Sequence, residues 1–341
     1  MRTKVPPPKL RRVVTQSATS NAPACAWSKY LRFKLHPGAI STKKRANWAI
    51  RTLVIDVSAW DSWDIGTSQQ TLKTACVRAM TGLGSEKCDP ETCDIFDFMA
   101  RHVGMTVVHP GGFDATRRLA ESCKIGERTR VIDIACGKGT SAVYLAEGFG
   151  CNVVGIDIAE DLVSQAEALA RRRGLGGRVS FRVGDALNLP FKDGEFDVAV
   201  SQAMLVLVGD KERSVKEALR VVKPDGHLGW LELSWKKEPT QEFMDAVSNV
   251  LCAYCMQNVH TFAGWEKLLT QSGVRQLTDQ AFSLTGGGFR NMVGNEGTVN
   301  TLRIMLKYLA NGKIRKRMKT MNKFFREHPD MFGYGIFTGR R

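Results

Sequence analysis

From Arg130 onward, short continuous apolar runs alternate with segments whose apolar positions recur every three or four residues. That alternation predicts strands of a parallel sheet joined by helices. Strands are expected at Arg130–Ala135, Asn152–Ile156, Val179–Val183, Phe196–Ser201 and Gly229–Leu233, the last following a Lys223-Pro224-Asp225-Gly226 turn. Helices are expected between them at Ser141–Glu147, Glu160–Arg173 and Lys211–Val221. Beyond the fifth strand the pattern turns mainly helical, over Gln241–Val259, Trp265–Gln271, Thr298–Ala310 and Lys313–Arg326. Two further strands fall near Val274–Phe282 and at Gly333–Thr338. Upstream, a helical stretch from Ile95 to Val103 leads through a His109-Pro110-Gly111-Gly112 turn to a second helix carrying Ala115, Leu119 and Ala120.

Residues 1–92 show no sustained periodicity, which separates a mostly disordered extension (1–92) from one folded domain (93–341). Charge divides the chain in the same way. The net charge is +15, yet residues 1–60 hold 12 Lys/Arg against the single acid Asp56. The remainder is close to balanced, which argues against nucleic acid as a partner. A basic block rich in Ser, Thr and Ala and nearly free of acids fits an organellar transit peptide, for plastid or mitochondrion. Without import the location would be cytoplasmic. No segment reaches the ~20 apolar residues of a spanning helix. Nine cysteines, an odd number, at scattered positions point to free thiols in a reducing compartment. Cys252-x-x-Cys255 sits inside a helical pattern without a partnering pair, so no metal site is expected, and a metal or redox role for Cys88 and Cys93 is the weaker reading.

The chemistry concentrates in Val131-Ile132-Asp133-Ile134-Ala135-Cys136-Gly137-Lys138-Gly139-Thr140, a strand running into a glycine turn that opens a helix. The turn also fits the dinucleotide fingerprint, with Asp157 near the spacing of a ribose-binding acid, so an NAD(P)-dependent oxidoreductase is a competing reading. Two carboxylates oppose it. Asp133 would repel a diphosphate beside this turn but suits a ligand bearing an ammonium and a sulfonium. Asp185, after the third strand, can accept from an adenine amino group, while Asp157 can accept from ribose hydroxyls. All three lie at carboxyl ends of strands, where open α/β sheets bind ligands.

The stretches VIDIACGKGT, VVGIDIAEDLVSQA, VSFRVGDALNLPFKDGEFDVAV and ALRVVKPDGHLGWLELSW resemble, in order and spacing, the core of class I S-adenosylmethionine-dependent methyltransferases. The likeness is strongest to the small-molecule branch that includes ubiquinone/menaquinone and tocopherol methyltransferases, and it covers residues 130–235. The resemblance implies a Rossmann-like seven-stranded sheet with an antiparallel last strand and helical lid insertions, here 94–123 and 236–330. It implies S-adenosyl-L-methionine as cofactor, with Asp133, Ala135, Cys136, Gly137 and Gly139 along its methionine part. Asp157 and Ile158 would hold ribose and adenine, and Asp185 with Ala186 the adenine edge. Ala135 stands where the family usually has Gly. At the end of the fourth strand, Gln202 is expected against cofactor or acceptor and Met204 beside the acceptor. The Asn/Asp-Pro-Pro-aromatic motif of base and amide methylation is absent there.

Direct displacement at a sulfonium needs alignment above all. A base matters only for an acceptor that arrives protonated, and the candidates near the acceptor are His109 and His260. Quinol C-methylation and S- or O-methylation of a small acid are the leading options; arsenite methylation would require converging cysteines. A non-catalytic cofactor-binding protein is a further alternative. The basic residues of Lys313–Arg326 suit an anionic or membrane-associated acceptor, or simply a solvated face. Oligomeric state is not legible.

Overall fold

A computed structural model describes residues 94–251, 256–284 and 289–341, all within the compact unit Cys88–Arg341. The extension expected over 1–92, and Cys88, Cys93, Cys252 and Cys255, lie outside the described residues. Strands β1 (Arg130–Ile134), β2 (Asn152–Asp157), β3 (Val179–Val183), β4 (Phe196–Gln202), β5 (Val222–Trp235), β6 (His260–Thr261), β7 (Arg275–Ser283) and β8 (Phe332–Arg340) form one sheet. Its order is β3-β2-β1-β4-β5-β8-β7, with β6 pairing β5 off that path. Strand β8 is antiparallel to both β5 and β7, as the resemblance implied. The helices are α1 (α-helical over Ile95–Asp97, π-helical over Phe98–Val103), α2 (Gly112–Ser122), α3 (Thr140–Phe149), α4 (Glu160–Arg172), α5 (Lys211–Val221), α6 (Gln241–Val250), α7 (Phe262–Gln271), α8 (Phe289–Ala310) and α9 (Gly312–Glu327).

The central strands β1, β2 and β4 are mostly apolar because both faces of the sheet are covered there, whereas β3 alternates and β7 is largely exposed. Val131, Ile132 and Ile134 of β1 are essentially buried. On one face Ile132, Ile134 and Trp230 pack with Phe98, Trp265 and Phe332. On the other, Val131, Val153 and Leu231 pack with Leu119 of α2 and Leu145 of α3. Each such side chain contributes about 1.5–3 kcal/mol on burial. Strand β1 pairs with β2 on one side and β4 on the other, both parallel. The chain therefore leaves β1 in opposite directions, and the crevice at the carboxyl ends of β1 and β4 is the fold's switch point.

Three local differences from the sequence pattern have physical causes. The expected turn at Lys223–Gly226 lies inside β5, where Asp225 takes φ 59° and the pairing with β4 shifts register between Phe196 and Val198. It is a bulge, which a turn-rich tetrapeptide mimics. The helix expected through Val259 ends at Val250, because Leu251 leaves helical geometry at ψ −83°. Helix α8 is broken at Gly297 (φ 70°, ψ 167°), so the helix expected from Thr298 begins just past the break and a further helical segment, residues 289–296, precedes it.

Candidate active site

The glycine turn after β1 is built from left-handed backbone. Ala135 has φ 61°, Gly137 54° and Gly139 73°. An L side chain is strained in this region, which explains why Gly is usual at the place Ala135 holds. The two glycines differ in purpose. A Cβ on Gly137 would meet nothing within 4 Å, whereas one on Gly139 would come within 2.5 Å of Phe181 and 2.7 Å of Ala166. Gly139, expected along the cofactor, lets α3 close onto the sheet.

A cavity of about 90 Å³ opens beneath this turn, with Asp133, Ala135, Cys136, Gly137, His109 and Gln202 in its wall. Asp133 is 2% exposed and its Oδ2 has no hydrogen-bond partner. Burial pushes its carboxyl up to about 7, with the Asp157 carboxylate adding to the effect. Across the wall, Gln202 Oε1 accepts from Thr116 Oγ1 at 2.8 Å, while the buried Nε2 has no partner. A lone acceptor and a lone donor thus face one cavity. Buried groups left in this state cost about 1–3 kcal/mol each, more when charged. Such a cost is tolerated where a ligand completes the pairing.

His109 sits in the same wall. Its Nδ1 lies 3.3 Å from the Pro110 carbonyl and its Nε2 3.3 Å from Ser141 Oγ and 3.4 Å from Thr116 Oγ1. Donation from Nδ1 to the carbonyl leaves Nε2 as the acceptor. Burial lowers the imidazole to about 4, against the raising effect of Pro110, so the ring is neutral at physiological pH. Cys136 is inert, since burial pushes its thiol upward.

The remaining expected residues lie outside this wall. Asp157 ends β2, where Oδ2 accepts from the Gly137 N–H at 2.8 Å and Oδ1 from the Ala159 N–H at 2.9 Å. Its carboxylate braces the turn, leaving each oxygen one further lone pair. Ile158 follows it, 44% exposed. Asp185 accepts from the Leu187 N–H and pairs with Asn188 in a tight turn that carries Ala186. Met204, expected beside the acceptor, is 4% exposed in the core, its Sδ 3.9 Å from Ser214 Oγ. The chain turns inward after Gln202 because Glu232 Oε1 accepts from the Met204 and Leu205 N–H groups. His260, the second candidate base, packs edge-on against Trp265 at 4.6 Å in β6, away from the wall that holds His109.

Sequence reasoning missed the groups that close the cavity. Lys138 Nζ donates to the carbonyls of Ala100 and Met105, and Thr140 Oγ1 to that of Thr106. Glu296, at the α8 break, accepts from the N–H groups of Thr106 and Val107, from Thr106 Oγ1 and from Asn300 Nδ2. Asn295 accepts from the Phe113 N–H. Segment 104–113 is therefore held over the cavity from both sides. Lys138 carried a weak signal inside the glycine turn; Glu296 carried none.

Residues 125–277 match the family model described as methyltransferase domain. Norajmaline N-methyltransferase of Rauvolfia serpentina is 42% identical over 210 residues, spanning 54% of this chain and 72% of that protein. The chain belongs to the class I S-adenosylmethionine-dependent methyltransferases. Chloroplastic tocopherol O-methyltransferase of Arabidopsis thaliana is 39% identical to this methyltransferase over 99 residues, 29% of its chain and 28% of the relative. Among solved structures, phosphoethanolamine N-methyltransferase 2 of Haemonchus contortus, in complex with S-adenosyl-L-methionine, aligns with TM-score 0.57 and 17% identity. That alignment covers 73% of this chain and 60% of the other, and shows the shared fold. The methyltransferase acts on a small-molecule acceptor and uses S-adenosylmethionine. Its site suits that cofactor: Asp133 offers an unpaired buried acceptor where a diphosphate would find repulsion.

Proposed function

We propose that the methyltransferase holds the cofactor's amino-acid head between Asp133 and Gln202 and methylates the nitrogen of a small, largely apolar amine. The observation that carries the first half is the pair of unpartnered buried atoms in one cavity wall, Asp133 Oδ2 and Gln202 Nε2. An ammonium satisfies the first and a carboxylate the second, so the wall complements a zwitterion. The ends of β2 and β3, with Asp157, Ile158, Asp185 and Ala186, adjoin this wall and supply acceptors and an exposed apolar side chain for a nucleoside. Residues 93–341 then form one catalytic domain.

When bound, the cofactor supplies an electrophilic methyl group whose departure leaves a neutral thioether. The chain contributes position and dryness. Segment 104–113 covers the cavity, and clasped by Lys138 and Glu296 it excludes water. His109, neutral and with its Nε2 facing the Ser141 and Thr116 hydroxyls, lines the cavity without taking up a proton. An imidazole lowered to about 4 is a poor base for a phenol, which favours an acceptor that is nucleophilic without one. The N-methylation carried out by the Rauvolfia relative agrees. For location, the acid-poor basic block over residues 1–60 supports organellar import, and the chloroplastic tocopherol relatives favour the plastid.

The test is transfer of a labelled methyl from S-adenosylmethionine to a matched pair of apolar acceptors, one a secondary amine and one a phenol. Turnover of the amine is expected, with a kcat that rises with pH through the amine's own titration and shows no limb near 6.5. Methylation of the phenol alone would refute the amine reading.

A further inference from the structure

Helix α8 turns a row of apolar side chains to solvent beyond its break. Val299 and Leu309 are each 64% exposed, Leu302 58%, Leu306 56% and Met305 39%. Spacings of three and four place Val299, Leu302, Leu306 and Leu309 along one helix face. The opposite face is occupied, since Thr301 and Ile304 are buried against the domain. Single exposed leucines are ordinary, but five within eleven residues of one helix make a patch, which marks an interaction surface. Exposed Arg303 and Lys307 interleave with the row. Helix α9, one residue further on, adds exposed Lys313, Lys316, Lys319, Lys323 and Arg326 against the one acid Glu327.

We propose that this face docks the methyltransferase on an anionic lipid surface, with the α8 row in the acyl boundary and the basic residues among headgroups. Three considerations select that occupant. A second copy meeting the first through α8 would bring Arg303, Lys307 and both α9 helices together, and like charges at contact are repulsive. A single helical row is also small beside the ~800 Å² per partner of a stable protein interface. An anionic bilayer answers both features at once, apolar depth and positive charge, as interfacial helices do. No helix among the described residues is long and apolar enough to cross a membrane, so α8 would lie on the surface. The inference goes beyond the amine proposal and adds a route for the acceptor. The half of α8 before the break holds segment 104–113 through Asn295 and Glu296. Docking the other half would set that closing segment near the lipid, from which an apolar acceptor could enter.

The experiment is co-sedimentation of the full chain with vesicles of phosphatidylcholine alone and of phosphatidylcholine containing phosphatidylglycerol. The wild type is expected to pellet at least tenfold more with the phosphatidylglycerol vesicles. The variant Leu302→Glu/Leu306→Glu is expected to lose at least tenfold of that partition while binding S-adenosylhomocysteine within twofold of the wild type. Both proteins carry the same basic N-terminal block, so their difference reads α8. Lys319→Glu/Arg326→Glu, which leaves every apolar contact in place, should lower the partition severalfold and covers the case of a misfolded leucine variant. Equal pelleting of wild type and leucine variant overturns the proposal. So does a wild-type dimer, seen by light scattering without vesicles, that the leucine variant splits; that result would give the face to a second copy.

Discussion

At Asp133 the ligand-free protein carries a charge in the wrong place for stability, and the cost can be read from its titration. Its folded value near 7 lies above the ordinary carboxylate range, so between about 4 and 7 the folded state binds more protons than the unfolded one. Stability falls as pH rises through that window and stays low above it. Asp133→Asn should therefore be about 2 kcal/mol more stable than wild type at pH 8 in urea unfolding, with the gain vanishing near pH 4. The same variant should lose S-adenosylhomocysteine binding by calorimetry. In the wild type that affinity should weaken roughly tenfold per pH unit below 7, because the carboxyl must first ionise. Ala135 makes the complementary case for backbone. At φ 61° it bears strain that Gly lacks, and Ala135→Gly should raise stability by about 0.5–1 kcal/mol after glycine's own entropy cost. No change, or a loss, in the unfolding midpoint would show the turn relaxed around the methyl.

Helices and strands carry the predictions about closure. Glu296 accepts from two backbone N–H groups and from the Thr106 and Asn300 side chains, and it ties segment 104–113 to α8 together with Asn295, bonded to Phe113, and Asn300, bonded to the Gly104 carbonyl. Glu296→Ala should leave buried donors unsatisfied, at about 2–3 kcal/mol. It should also raise the KM of the acceptor about tenfold and expose residues 104–111 to limited proteolysis; Glu296→Gln should recover part of both. Glu232 offers a second window. Burial holds its carboxyl at about 8, so Glu232→Gln should flatten the decline of stability between about pH 4.5 and 8, as urea titrations would show. The central elements were legible because their patterns are plain: β1, β2 and β4 are mostly apolar runs bounded by turns, β3 alternates, and α4 and α5 have a single apolar stripe. What escaped was set by tertiary contact. Two-residue β6 exists only as a partner of Ser234 and Trp235. The cavity residues Asp133 and Gly137 could be read from the turn, yet Met204 could not, since a carboxylate on β5 turns it inward. His109 and His260 looked equivalent in sequence; only the fold sets one in the wall and the other on Trp265.

As a whole molecule, the methyltransferase separates two kinds of polar contact. Its described surface is laced with ion pairs such as Arg101–Asp161 and Arg220–Glu217, and the docking face proposed for α8 and α9 depends on charge as well. The clasp over the cavity is different. Lys138 bonds two carbonyls and Glu296 bonds amides and hydroxyls, so neither closes on an opposite charge. Dissolved electrolyte weakens interactions between charges far more than hydrogen bonds from a charge to a neutral dipole. Raising sodium chloride from 50 to 500 mM should then strip the protein from vesicles yet leave the rate on a freely soluble acceptor within about twofold. Brine would cast the enzyme adrift with its mouth still shut.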